Sequence, residues 1–397
     1  LIERYPTYIF NFSGAARYLW MKEYYPAEYT KLKEYIAKGR WFPCGSSLEE
    51  SDAIVPSAES LVRHVLYGNL FFKREFGRAS AEYMLPDCFG FPASLPSILA
   101  HCGLEGFSTQ KLSWGSAMGI PFNVGVWEGP DGGSVIAALN PGAYVHKITE
   151  NLTKSADWMK RVKQTGEKAG LFVDYHYYGT GDTGGAPDEP SVKLVEEATR
   201  GPGPLRVLSS TAERMFVDLR GKDLSKLPRY KGELLLTEHS AGSITSQAYM
   251  KRWNRMNELL ADAAERASTA AAWLGGTAHP HERIFDAWVK IARNQFHDNL
   301  PGTSVPKAYE FCWNDATIAM NLLASTLSHA VSDVASLLDT RGSGIPVVVY
   351  NPLAIEREDV VEATIAFPGN QPEHALVFGP DGKETATQIL ERTDSPT

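Results

Sequence analysis

The chain has 397 residues, 43% of them hydrophobic, which fits two to three folded domains and excludes disorder as its main state. Lysine and arginine total 39 against 47 acidic residues, a net charge of -8, which argues against a dedicated nucleic-acid or anionic-membrane binder. The cysteines, Cys44, Cys88, Cys102 and Cys312, show no C-x-x-C spacing, so a zinc knuckle, redox motif or disulfide framework is not expected, and no apolar run reaches the ~18 residues of a membrane span.

In chain order, Pro26 opens a helix with Tyr29, Leu32, Ile36 and Ala37 on its apolar face, and Gly39 is its expected stop. Ser57 caps the next, where Leu61, Val65, Leu66, Leu70 and Phe72 recur at helical spacing and Gly77 ends the run. Strands are predicted at residues 40–44, 82–85, 106–109, 124–127, 135–139 and 171–176. Strand and helix in alternation read as an α/β layer or barrel with its chemistry at the C-terminal strand ends. Residues 246–274, 281–297 and 305–338 are helical in pattern and predict a small bundle. Strand patterns return at 346–350, 360–366 and 375–378, as the beginning of a β domain. The expected domains are 1–240 (α/β), 241–342 (helical) and 343–397 (β). Opening at Leu1 without Met and stopping at Asp394-Ser395-Pro396-Thr397, the chain reads as a piece of a longer protein.

Three stretches carry chemistry. In Met84-Leu85-Pro86-Asp87-Cys88-Phe89-Gly90-Phe91, proline stops a strand and Asp87 is the first side chain beyond it. That is the place for a nucleophile or metal ligand, and equally for a turn cap. Tyr178-Gly179-Thr180-Gly181-Asp182-Thr183-Gly184-Gly185 leaves the backbone free to approach a ligand around Asp182, or forms a plain surface turn. It lacks the Lys-Ser/Thr ending of a phosphate loop. Asn294-Gln295-Phe296-His297-Asp298 puts an imidazole beside a carboxylate at a helix end, as a metal ligand or as a residue favoured there by the helix dipole. Glu238-His239 and the Glu49, Glu50, Asp52 group are two further polar clusters. Together these sites suggest a hydrolase using two carboxylates with a metal.

These residues resemble the class II α-mannosidases, glycoside hydrolase family thirty-eight. The resemblance rests on the Asp87 segment, on Thr109-Gln110-Lys111-Leu112-Ser113-Trp114, and on the glycine-rich run through Pro187. It extends to Leu236-Thr237-Glu238-His239 with Thr245-Ser246-Gln247, to the His297-Asp298 segment with Leu300-Pro301-Gly302-Thr303-Ser304, and to residues 347–352, all in the family's order. It implies a distorted seven-stranded α/β barrel, incomplete at its N-terminus, then a three-helix bundle and the start of a β-sandwich. It implies hydrolysis of α-mannosidic bonds in mannose-containing glycans with retention, and a zinc ion, cobalt in some members. Asp87 is then nucleophile and metal ligand, His297 a metal ligand, Asp182 the acid/base, and Asp298, Trp114, His239 and Tyr178 contacts to substrate. Asp182 needs a dry, cation-free setting in order to hold its proton. A homo-oligomer is compatible with this reading, and the branch resembled is bacterial and cytosolic, which leans to the cytoplasm.

The sequence departs from that pattern in three places. No histidine precedes His64, so the family's His-x-Asp pair, two of four zinc ligands, is absent. Ser47-Leu48-Glu49-Glu50-Ser51 lacks the family's Trp, and Ser240-Ala241-Gly242 stands where Arg-Gly is usual. A non-catalytic carbohydrate-binding relative is the alternative. A metal-dependent deacetylase needs a His-x-x-x-His pair that is not found. The sequons at Asn11 and Asn151 do not place the protein outside the cell.

Overall fold

Local signals set most element ends. After strand β1 (Phe10–Ser13) come helices α1 (Ala15–Tyr24) and α2 (Pro26–Ala37), with Pro26 in the first turn of α2, where a missing N–H costs nothing. Strand β2 (Trp41–Cys44) leads to α3 (Ala58–Phe76). The Ser57 hydroxyl of α3's N-cap accepts from the Ser60 N–H, and Gly77 closes it in the left-handed conformation. The structure, a computed structural model, describes residues 1–367 and 372–393 and falls into two compact units, Leu1–Asp339 and Thr340–Thr397. The chain end at 394–397 lies outside the described residues.

The first unit continues through β3 (Glu82–Met84), β4 (Gly90–Phe91), α4 (Leu95–His101), β5 (Gly106–Ser108), β6 (Val124–Glu128), β7 (Ser134–Ala138), α5 (Ala156–Ala169), α6 (Glu189–Arg200), α7 (Arg214–Asp218), β8 (Arg229–Lys231) and β9 (Leu234–Leu235). A five-stranded mixed sheet runs β3-β5-β7-β6-β8, with β3, β5 and β7 parallel and β6 antiparallel to β7. Strands β1 and β2 form a separate parallel pair, and β4 pairs with β9. No ladder joins β2 to β3. Glu82 ties them instead, its buried carboxylate accepting from the Gly45 N–H at 2.8 Å. Tyr83, Leu85, Phe91, Phe107 and Trp127 fill the main core.

The fold class is α/β as expected; among the described residues the strands form a five-stranded sheet with flanking pairs, and the seven strands of the expected incomplete barrel are not joined in one sheet. The predicted strand at 171–176 is one reason. Leu171, Val173 and Tyr175 do pack against the cluster of Val124, Ile136 and Phe216. However, β7 already has β5 and β6 as neighbours, and the segment joins no ladder; the Val173 N–H turns back instead to the Leu171 carbonyl at 3.1 Å.

Helices α8 (Ala248–Gly275), α9 (His281–Asn294) and α10 (Pro306–Ser336) pack together in the same unit. Ala261, Ala264, Ala287 and Ala319 are fully buried between them and let the backbones approach closely around Trp288 and Leu323. In the second unit a short hairpin of β10 (Val377–Phe378) and β11 (Glu384–Thr385) forms. The expected strands at 346–350 and 360–366 do not: their valines stay exposed, and among the described residues no partner strand is paired to them. Among the described residues no helix is long and apolar enough to cross a membrane.

Candidate active site

Parallel strand ends build the site. The Leu85 N–H makes the last rung beyond β3, to the Ser108 carbonyl at 3.1 Å; Pro86, lacking an N–H, ends the ladder; Asp87 follows at the edge. Lys111 sits in the 3-10 turn just past β5, and Tyr144 in the loop after β7. These three neighbouring strands therefore deliver a carboxylate, an ammonium and a phenol to one place. Lys111 Nζ donates to Asp87 Oδ1 at 2.5 Å, and the Tyr144 hydroxyl lies 3.2 Å from Asp87 Oδ2.

That same hydroxyl is 3.0 Å from Asp182 Oδ1. The two carboxylates are thus no farther apart, oxygen to oxygen, than two hydrogen bonds placed end to end, about 6 Å. Burial, followed by the charges of Asp87 and Asp182, pushes the Tyr144 phenol far above its ordinary range, so it stays protonated. Asp182 has a positive φ of 61°, unusual for a residue other than glycine, and its loop is seated by Gly181, where a Cβ would collide with the Tyr144 ring. Asp182 is itself exposed, so the dry setting expected for it is absent from this structure.

His297 arrives from the bundle. Residues 50–52 run antiparallel to 295–297: the His297 N–H donates to the Glu50 carbonyl at 3.1 Å, the Asp52 N–H to the Gln295 carbonyl at 2.7 Å, and Ser51 bridges Phe296. Gln295 anchors this junction, fully buried. Its side chain bonds His64 at 2.9 Å, Ser60 at 3.1 Å, Asn254 at 2.7 Å and Glu258 at 3.1 Å. Burial lowers His64 to about 4, so it is neutral in this network. His297 Nδ1 lies 2.9 Å from the Glu50 carbonyl, to which it donates, leaving Nε2 as the lone-pair nitrogen. Nε2 stands 4.0 Å from Asp87 Oδ2.

The Asp87–His297 pair suits two ligands of a metal site, the imidazole locked in the right tautomer by its outer nitrogen. Among the described residues, no group of three His, Cys, Asp or Glu side chains is placed to hold a metal ion.

Asp87, Asp182, His297, Asp298 and Tyr178 all line one cleft of about 1940 Å³. Asp298 is steadied by the Thr303 hydroxyl at 2.7 Å. Tyr178 packs its ring among Ile148, Leu152 and Val195, and burial pushes its phenol up to about 12. Trp114 and His239 do not line the cleft. Their rings meet edge to face at 4.9 Å, with Lys111 Nζ 4.9 Å from the Trp114 ring, so they lie behind Lys111. His176 faces the cleft, stacked on Trp158 at 4.0 Å and 3.1 Å from Asp174, a structural cluster. Sequence reasoning assigned no role to Lys111 or Tyr144. Lys111 stood within a recognisable motif; Tyr144, in a loop of no pattern, carried no signal.

Comparison with known proteins identifies the family. The N-terminal domain of glycosyl hydrolases family 38 matches residues 1–233, and the α-mannosidase middle domain matches residues 238–334. Alpha-mannosidase G of Dictyostelium discoideum is 34% identical over 340 residues, covering 82% of this chain and 30% of that protein. Human alpha-mannosidase 2C1 is 34% identical over 313 residues, covering 78% and 29%. The chain thus spans about a third of the length of these relatives. The crystal structure of an α-mannosidase from Enterococcus faecalis V583 shares the fold, with a TM-score of 0.71 at 20% identity over 86% of this chain and 39% of that one.

Proposed function

This chain belongs to glycosyl hydrolases family 38, and on that premise we propose that it forms the catalytic part of a retaining α-mannosidase acting on mannose-containing glycans. The observation that carries the reading is the pair of carboxylates sharing one phenol. A nearest-oxygen separation of about 6 Å at most supports the closely set carboxylates of a retaining pair. It matches a nucleophile and an acid/base on opposite sides of one glycosidic bond.

In this reading Asp87 attacks the anomeric carbon. Lys111 occupies its Oδ1, so Oδ2, beside the Tyr144 hydroxyl, is the oxygen that attacks. Asp182, on the exposed rim, donates its proton to the departing oxygen and later withdraws one from water. Glycan binding would cover Asp182 and supply the desolvation that an acid role requires. Tyr144 spaces the two carboxylates and keeps its proton. Asp298, held by Thr303, is oriented to accept from a sugar hydroxyl. A bound zinc ion would be held by Asp87 and His297 with further donors, and would supply Lewis-acid polarisation of sugar hydroxyls.

Hydrolysis of 4-nitrophenyl α-mannoside by the intact protein, with the sugar followed by proton NMR, tests this. α-Mannose as the first product supports it. β-Mannose as the first product, or no release of nitrophenol, overturns it.

A further inference from the structure

Lys111 is a buried cation with a carboxylate in front of it and aromatic rings beside it. Its side chain is 3% exposed, its Nζ is 2.5 Å from Asp87 Oδ1, and the ammonium lies 4.8 Å from the Phe89 ring and 4.9 Å from the Trp114 ring. Rings of this kind stabilise a cation without taking its hydrogen bonds. The full charge of Lys111 is therefore directed at the carboxylate proposed to react.

We propose that Lys111 is a catalytic residue that speeds the second half of the reaction, release of the sugar from Asp87, at the expense of the first. This rests on the retaining reading above. In the first step one Asp87 oxygen bonds to the anomeric carbon, the glycosidic bond breaks, and the leaving oxygen takes the proton of Asp182. The carboxylate becomes a neutral ester. In the second step a water oxygen bonds to the anomeric carbon, its proton passes to Asp182, and the bond to Asp87 breaks with its electron pair returning to the carboxylate. An ammonium at hydrogen-bonding distance stabilises the carboxylate more than the ester. It therefore makes Asp87 a poorer nucleophile and a better leaving group. It also holds Oδ1 as the carbonyl oxygen and presents Oδ2, beside the Tyr144 hydroxyl and 4.0 Å from His297 Nε2, as the bond-forming oxygen.

The consequence is a kinetic signature that a merely structural ion pair would lack. In Lys111→Met the ester should accumulate. For 4-nitrophenyl α-mannoside, kcat falls at least about tenfold, KM falls by a larger factor, and kcat/KM rises. A burst of nitrophenol equal to the enzyme concentration precedes the steady state, and intact-protein mass spectrometry finds one hexose attached. Lys111→Arg, which keeps the charge and the donor, restores most of kcat. Should Lys111→Met not fold, Lys111→Gln keeps a donor without charge and is read in the same way. A fall of kcat/KM as steep as that of kcat, with KM unchanged and no burst, overturns the role of Lys111 alone. A wild-type enzyme inert toward α-mannosides overturns the retaining reading and this inference with it.

Discussion

Glu82 offers a test of how the sheet supporting the site is held together. It lies on β3, the strand that ends at Asp87, and it is wholly buried. Its carboxylate accepts from the Gly45 N–H at 2.8 Å and from the Ser80 hydroxyl at 2.5 Å. Those two bonds do not offset the loss of water, and burial raises its pKa from an ordinary 4.5 to about 7. Between those values the folded protein retains a proton that the unfolded chain has already released. Stability from this group is therefore full below pH 4.5 and is lost as pH rises through 7, a difference of about 3 kcal/mol. In Glu82→Gln the amide oxygen can still accept from Gly45 and the amide nitrogen can donate to Ser80, while the titration is gone. Guanidinium unfolding followed by tryptophan fluorescence near pH 4 and near pH 8 reads the effect. The variant should gain about 3 kcal/mol on wild type over that interval. A stability difference that does not change with pH would refute the claim that Glu82 joins the β1–β2 pair to the sheet as a desolvated acid.

Asp87→Asn in the intact enzyme should lower kcat more than about 10³-fold, because an amide neither attacks nor ligates well; retention of a tenth of the wild-type rate would remove Asp87 from the mechanism. Asp182→Ala should slow poor leaving groups far more than activated aryl mannosides, with azide restoring turnover of the latter as mannosyl azide. Equal slowing of every substrate would move the acid role to another carboxylate. The 397 residues should retain less than one equivalent of zinc after dialysis, since among the described residues no third donor joins Asp87 and His297 in a metal-holding group. Stoichiometric zinc by metal analysis would mean that Glu50 or another residue completes the site.

What could be read in the sequence was local. Ser57 and Gly77 mark the ends of α3 because a hydroxyl cap and a left-handed glycine solve end problems that every helix has. Pro86 shows where β3 stops, and so where Asp87 stands. What could not be read depends on pairing. Residues 171–176 alternate like a strand, yet they pair with no strand of the described sheets. The antiparallel contact of residues 50–52 with 295–297, which carries His297 to Asp87, joins segments more than two hundred residues apart and leaves no periodic trace. Trp114 and His239 belong to family-like motifs, but motif membership does not say which side of Lys111 a ring occupies. Tyr144, which spaces the two carboxylates, lies in a loop where any polar residue would have looked ordinary.

The central claim is that Asp87 forms a covalent bond to the sugar. Incubating the intact enzyme with a fluorinated α-mannosyl fluoride, which forms the ester quickly and releases it slowly, followed by peptide mass spectrometry, tests it most directly. The account predicts one sugar per enzyme, on the peptide containing Asp87 and at that residue. A label on Asp182 or Asp298, or none on an enzyme that still hydrolyses α-mannosides, would contradict it.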